Sequence, residues 1–132
     1  MRVSLLLFLL CLPLVAQEKR LSRADIERGY FNLTIPSNGT STETIFVGKG
    51  CVPLFLVTPS AWTTADLEVH GSYAESITPV PVYDGATQII ITNISASRFI
   101  KLEADIMFGL RAFKLVSTNP QAASRTLTVV CR

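Results

Sequence analysis

From Tyr30 onward the chain alternates short apolar runs with breaks of Gly, Pro, Asn and Asp at intervals of roughly eight to twelve residues, the rhythm of an all-β sandwich or barrel. The pattern is clearest between Cys51 and Gly71. Val52 to Val57 is a short, β-branched apolar run, Thr58-Pro59-Ser60 breaks it, and Asp66 to His70 alternates polar with apolar as a half-buried strand does. We read this stretch as strand, loop, strand, with Trp62 in the loop closing one end of the core. A buried indole removes on the order of 150 to 250 Å² from water.

Extending the same reading gives about nine strands: Tyr30–Ile35, Glu43–Val47, Val52–Val57, Asp66–His70, Ile77–Tyr83, Thr87–Thr92, Ser97–Leu102, Leu110–Val116 and Arg125–Cys131. Asn38-Gly39 tolerates the positive φ of a tight turn, and Asp84-Gly85 marks another. Pro79 and Pro81 lack backbone donors and demote their segment to an edge strand or an extended loop. Glu103 to Phe108 forms a single helical turn ending at Gly109, and Ser117 to Ser124 reads as a polar loop.

The N-terminal residues follow different rules. Residues 1–16 have a basic start, an apolar centre and a small residue at Ala16, which is the pattern of a secretory signal. The apolar run is shorter than the roughly 20 residues a membrane-spanning helix needs. Residues 17–28 carry dense alternating charge without an apolar stripe and are expected to be a linker or a frayed helical turn, placing the folded domain at 29–132. If the leader is removed, Cys11 goes with it, leaving Cys51 and Cys131 as a candidate disulfide across 80 residues. In a reducing compartment the same two residues would be buried thiols.

Composition narrows the functional classes. A chain of 132 residues with 48% hydrophobic content builds one core. Lys plus Arg number 12 against 10 Asp plus Glu, a formal charge of +2, too weak a field for nucleic acid. Phosphate loops, C-x-x-C zinc spacings, dinucleotide fingerprints and nucleophile elbows are missing, so no catalytic residue, metal ligand or cofactor is assigned. Asp66, Glu68 and His70 fall at i, i+2 and i+4 and share one strand face, which reads as a solvent face with Leu67 and Val69 turned inward. Asn32, Asn38 and Asn93 head N-x-S/T sequons. Arg98, Lys101, Arg111, Lys114 and Arg125 are scattered over the later strands and specify no ligand.

The order of motifs over positions 33–132 resembles small structural proteins of tailed bacteriophages. The matching residues are Pro59 to Leu67 (PSAWTTADL), Tyr83-Asp84, Ala96 to Leu102 (ASRFIKL), Gly109 to Lys114 (GLRAFK) and Ala123 to Val129 (ASRTLTV). The resemblance implies a non-enzymatic virion protein, a head decoration or fibre-like subunit that works by surface packing against other virion proteins and further copies of itself. The signal-like leader and the cysteine pair depart from what a particle assembled in the cytoplasm needs.

The resulting expectation is a single antiparallel β-sandwich of jelly-roll type located in a virion. The alternative is a secreted or periplasmic sandwich that binds carbohydrate or a cell surface, with Trp62, Tyr73 and Tyr83 as the stacking aromatics. Exposure of Trp62 beside Tyr73 would favour binding. A buried Trp62 with a flat apolar sheet face outside would favour assembly.

Overall fold

The computed structural model describes residues 18–132 apart from Lys49. The leader expected at 1–16 lies outside these residues. The chain runs β1 (Lys19–Arg20), α1 (Arg23–Arg28), β2 (Tyr30–Ile35), β3 (Ile45–Phe46), β4 (Pro53–Val57), β5 (Ala65–Ser72), β6 (Val80–Pro81), β7 (Tyr83–Asp84), β8 (Thr87–Gln88), β9 (Ile90–Ile94), β10 (Phe99–Lys101), α2 (Ala104–Phe108), β11 (Ala112–Ser117) and β12 (Arg125–Cys131).

Most of these strands form two sheets. The first has the order β1–β3–β11–β5, and the far side of β5 is shared by β6 and β9. The second has the order β10–β4–β12–β2, and β7 and β8 form a separate hairpin. Among the described residues every pairing is antiparallel except β1 with β3. The core lies between the sheets. Alternation turns Phe31, Leu33, Ile35, Leu56, Leu127 and Val129 inward from the second sheet, and they meet Ile45, Leu67, Val69, Ile94, Phe113 and Leu115 from the first in one buried cluster. Phe31 and Phe113 approach across the gap with ring centroids 6.3 Å apart.

The Cys51–Gly71 stretch therefore supplies a strand to each sheet. Pro53 stands at the first position of β4, where a missing N–H is tolerated, and β5 runs up the middle of the first sheet. The loop between them carries the chain across the core, and Trp62 fills it at 8% exposure. Cys51 and Cys131 form a disulfide, with Cα atoms 5.3 Å apart. It ties the entry to β4 to the end of its sheet neighbour β12, beside a register shift at Val130/Cys131.

The structure differs from the sequence reading at several points; the segment Ile77–Tyr83, for one, forms only the two-residue β6 and the first residue of β7, which pair in different sheets. The charged stretch ahead of Gly29, expected as a linker or a frayed helical turn, carries β1 and a fully capped helix, α1. Arg20 sits over the Phe46 ring at 5.3 Å and makes two hydrogen bonds to Glu75, at 2.8 and 2.7 Å, which hold its guanidinium above its ordinary pKa. Ser22 caps α1 in a reciprocal box with Asp25, and Gly29 ends the helix at φ 72°, a left-handed position that suits glycine. The strand expected at Thr87–Thr92 divides at Ile89, so that β8 pairs with β7 and β9 pairs with β5. β9 continues through Asn93 at φ 53° to Ile94, both expected in a loop; the Asp66 carboxylate accepts the Asn93 N–H at 2.7 Å beside the register shift of β5 against β9. Finally, Gly109 closes α2 in a right-handed conformation, φ −79°, and so makes no use of glycine's freedom.

Candidate functional site

Asp66, Glu68 and His70 do share the outward face of β5, as alternation requires, but they do not converge. Strand rise separates Asp66 from His70 by about 13 Å. The Asp66 carboxylate is engaged at Asn93, while His70 Nε2 lies 2.9 Å from Glu68 Oε2. Across the sheet His70 faces Lys114 on one side and Pro81 on the other, and Glu68 faces Val116 and Ile90. Among the described residues no group of three His, Cys, Asp or Glu side chains is placed to hold a metal ion.

The three aromatics are not gathered either. Trp62 belongs to the core, whereas Tyr73 is 75% and Tyr83 56% exposed. Trp62 precedes β5 and Tyr73 follows it, so the eight-residue strand, about 26 Å long, holds them at opposite ends of the sandwich. Asn32, Asn38 and Asn93 are all exposed. The five later cations do not merge into one patch: Lys101 belongs to the second sheet and Lys114 to the first, and Arg98 donates to Ser95 Oγ at 2.9 Å.

What the fold does assemble is an apolar outer face on the second sheet. Register aligns two rows across its four strands, Lys101–Phe55–Val130–Tyr30 and Phe99–Val57–Thr128–Asn32. Phe99 is 64% and Tyr30 44% exposed, and Phe55, Val57 and Val130 between them are partly exposed. Phe55 and Phe99 stack with ring centroids 4.7 Å apart. Lys101 is the single formal charge in these rows; the other polar members, Thr128 and Asn32, are neutral and hydrogen-bond to each other at 2.9 Å. The sequence reading placed all four strands without identifying this face. The signal was present: outward positions 55, 57, 99 and 130 are apolar where a solvated sheet alternates with charge.

The β2 edge of this sheet is closed differently. β2 directs the backbone groups of Asn32 and Thr34 away from β12, and two charged side chains occupy them. Lys19 Nζ donates to the Asn32 carbonyl at 2.8 Å, and the Thr34 N–H donates to Glu43 Oε2 at 2.9 Å. A strand from another chain cannot add there without displacing both.

One apolar cleft, about 300 Å³, opens between β9 and the β10–α2 connection. Val69, Ile89, Ile91, Leu102 and Met107 line it, with Lys101 and Glu103 also at its wall. It is large enough for a small apolar group. Comparison of the chain with protein-family models, with curated proteins and with solved structures finds no match in any of the three.

Proposed function

We propose that the chain is a non-enzymatic structural protein of a virion, a head-decoration or fibre-like subunit that acts by packing its surface against other virion proteins and further copies of itself. The observation that carries this reading is the pairing of a buried Trp62 with an exposed apolar sheet face at Phe55, Val57, Phe99 and Val130. A sandwich that binds sugar by stacking needs its aromatics together on the surface; one that assembles needs a flat apolar area. The strand order supports a jelly roll. β2–β12–β4–β10 opposite β3–β11–β5–β9 makes eight strands in two four-stranded layers, with the first strand beside the last, an architecture used by coat and lectin domains alike.

The second reading, a secreted β-sandwich module, is favoured by the Cys51–Cys131 disulfide, which needs an oxidising environment to persist. Mass spectrometry of particles banded from the source culture separates the two. The virion reading predicts the chain in the particle at a fixed ratio to the main coat protein. Recovery only as free protein in the supernatant, cleaved after residue 16 and two daltons heavier on reduction, overturns it in favour of secretion.

A further inference from the structure

The outer face of the second sheet divides into a high half and a low half. β10 and β4 contribute the bulky Phe99, Phe55 and Val57, whereas β12 and β2 contribute Thr126, Thr128, Val130, Asn32 and Thr34, with Tyr30 at one corner. A two-fold axis parallel to the strands and passing between β4 and β12 superposes the halves of two copies. The face is then complementary to itself. Phe99 of one copy covers the Asn32–Thr128 pair of the other, Phe55 meets Val130, and Lys101 reaches the Tyr30 corner, where Arg28 lies over the ring at 5.5 Å. The same operation holds the two Lys101 side chains three strand spacings apart, about 14 Å, so the one charge in these rows is not set against its own copy.

We infer that this face binds a second copy of the chain in an isologous dimer, which rests on the assembly reading and names its partner. Edge-strand addition at β2 is closed by Lys19 and Glu43, and the apolar side chains themselves lie on the face of the sheet, where a partner meets them face to face. Four strands at about 4.8 Å and six residues at about 3.3 Å give a projected area of roughly 400 Å², below the roughly 800 Å² that each partner of a stable complex buries. The dimer is therefore weak in isolation, and it forms where copies are held close together.

Sedimentation equilibrium of the full chain from about 10 µM to about 1 mM tests this, a range that brackets interfaces of this size. The wild type shifts from monomer to dimer across it. Phe99→Glu on the high half and Thr128→Arg on the low half each weaken the dimer by at least about tenfold while the monomer keeps its fold, read from an amide spectrum unchanged away from the substituted site. Ile90→Glu, on the outer face of the first sheet, leaves it intact. The axis has its own readout in cysteine variants treated with a short thiol–thiol cross-linker: two copies of Thr128→Cys lie one strand spacing apart and join, whereas two copies of Asn32→Cys are about 14 Å apart and do not. A wild type that stays monomeric throughout, a dimer indifferent to Phe99→Glu, or the reverse cross-linking pattern overturns the inference. Since these readouts use the isolated protein, they can fail while the chain is still found in particles, or hold while it is not.

Discussion

The side-chain amide of Gln121 is fully buried and reproduces a β-bridge with the main chain of Thr63: its Oε1 accepts the Thr63 N–H at 3.0 Å and its Nε2 donates to the Thr63 carbonyl at 3.1 Å. Its own backbone accepts from Asn38 N–H at 2.8 Å and donates to the Gly39 carbonyl at 3.0 Å. One residue thus joins the turn after β2, the Trp62 loop and the loop before β12. Replacing Gln121 with Ala removes these bonds, together with a longer one from Nε2 to Ser117 Oγ at 3.4 Å, and leaves a void, for an expected loss of about 2–4 kcal/mol by chemical denaturation. Gln121→Met refills the volume without the bonds and is expected to recover less than half of that loss. Recovery of nearly all of it by Met would mean that packing, and not the amide clamp, holds this end closed.

That residue also marks where reading the sequence stops. Alternation placed Leu67 and Val69 of β5 on the inward face, where both are buried, because a strand half-buried on one face has a period of two. Cys51 and Cys131 were legible as a pair from their number alone once the leader was set aside. Gln121 was not, since a polar residue in a Ser/Thr/Asn-rich loop looks solvated, and its burial depends on Thr63, 58 residues away. The apolar outer face of the second sheet escaped for a related reason. Phe99 and Phe55 become neighbours only through the register of β10 on β4, which no local pattern encodes. β1 and α1 were obscured by their charge, because β1 is ordered by contacts of Arg20 with Phe46 and Glu75 from elsewhere in the chain, and α1 by its Ser22–Asp25 cap.

The disulfide acts mainly on the unfolded chain. Closing a loop of 80 residues removes conformational freedom worth about 4.5 kcal/mol in the chain-entropy account. The double variant Cys51→Ala/Cys131→Ala is expected to lose about 4 kcal/mol, a fall of roughly 15 °C in Tm. Its amide spectrum should match the wild type away from the two substituted sites. Reductant should lower the Tm of the wild type and leave the variant unchanged. A wild type insensitive to reductant would show that the bridge contributes nothing.

The α1 capping box carries a pH dependence. The Ser22 hydroxyl and backbone N–H hydrogen-bond to the Asp25 carboxylate, and Arg28 adds an ion pair, which together hold Asp25 below its ordinary 3.8. A group with a depressed folded pKa stabilises above the unfolded value and loses that contribution as pH falls through the folded one. Helix α1 should therefore be intact above pH 3.8 and fray as the pH drops below it, with β2 and β12 unaffected over the same interval. Amide hydrogen exchange at Ile26 to Gly29 reports the fraying. In Asp25→Ala those amides should exchange rapidly at every pH; a pH response that persists in this variant would assign it to another group.

The two charges on the β2 edge give the last expectation. The Thr34 N–H and the Asn32 carbonyl face solvent at the end of a sheet, where unpaired backbone groups recruit strands from other molecules. Glu43 and Lys19 occupy them at 2.9 and 2.8 Å. Because both contacts are on the surface, the variant Lys19→Ala/Glu43→Ala should lose no more than about 1–2 kcal/mol of stability. Its aggregation should change far more, since the edge then offers a free donor and acceptor along a six-residue strand. Light scattering and thioflavin fluorescence, compared at temperatures where variant and wild type are equally folded, separate edge recruitment from simple unfolding. Faster growth of β-rich aggregate by the variant under these matched conditions is the expected result. Equal rates would mean that the edge is protected by its twist and shortness alone, with Lys19 and Glu43 as bystanders.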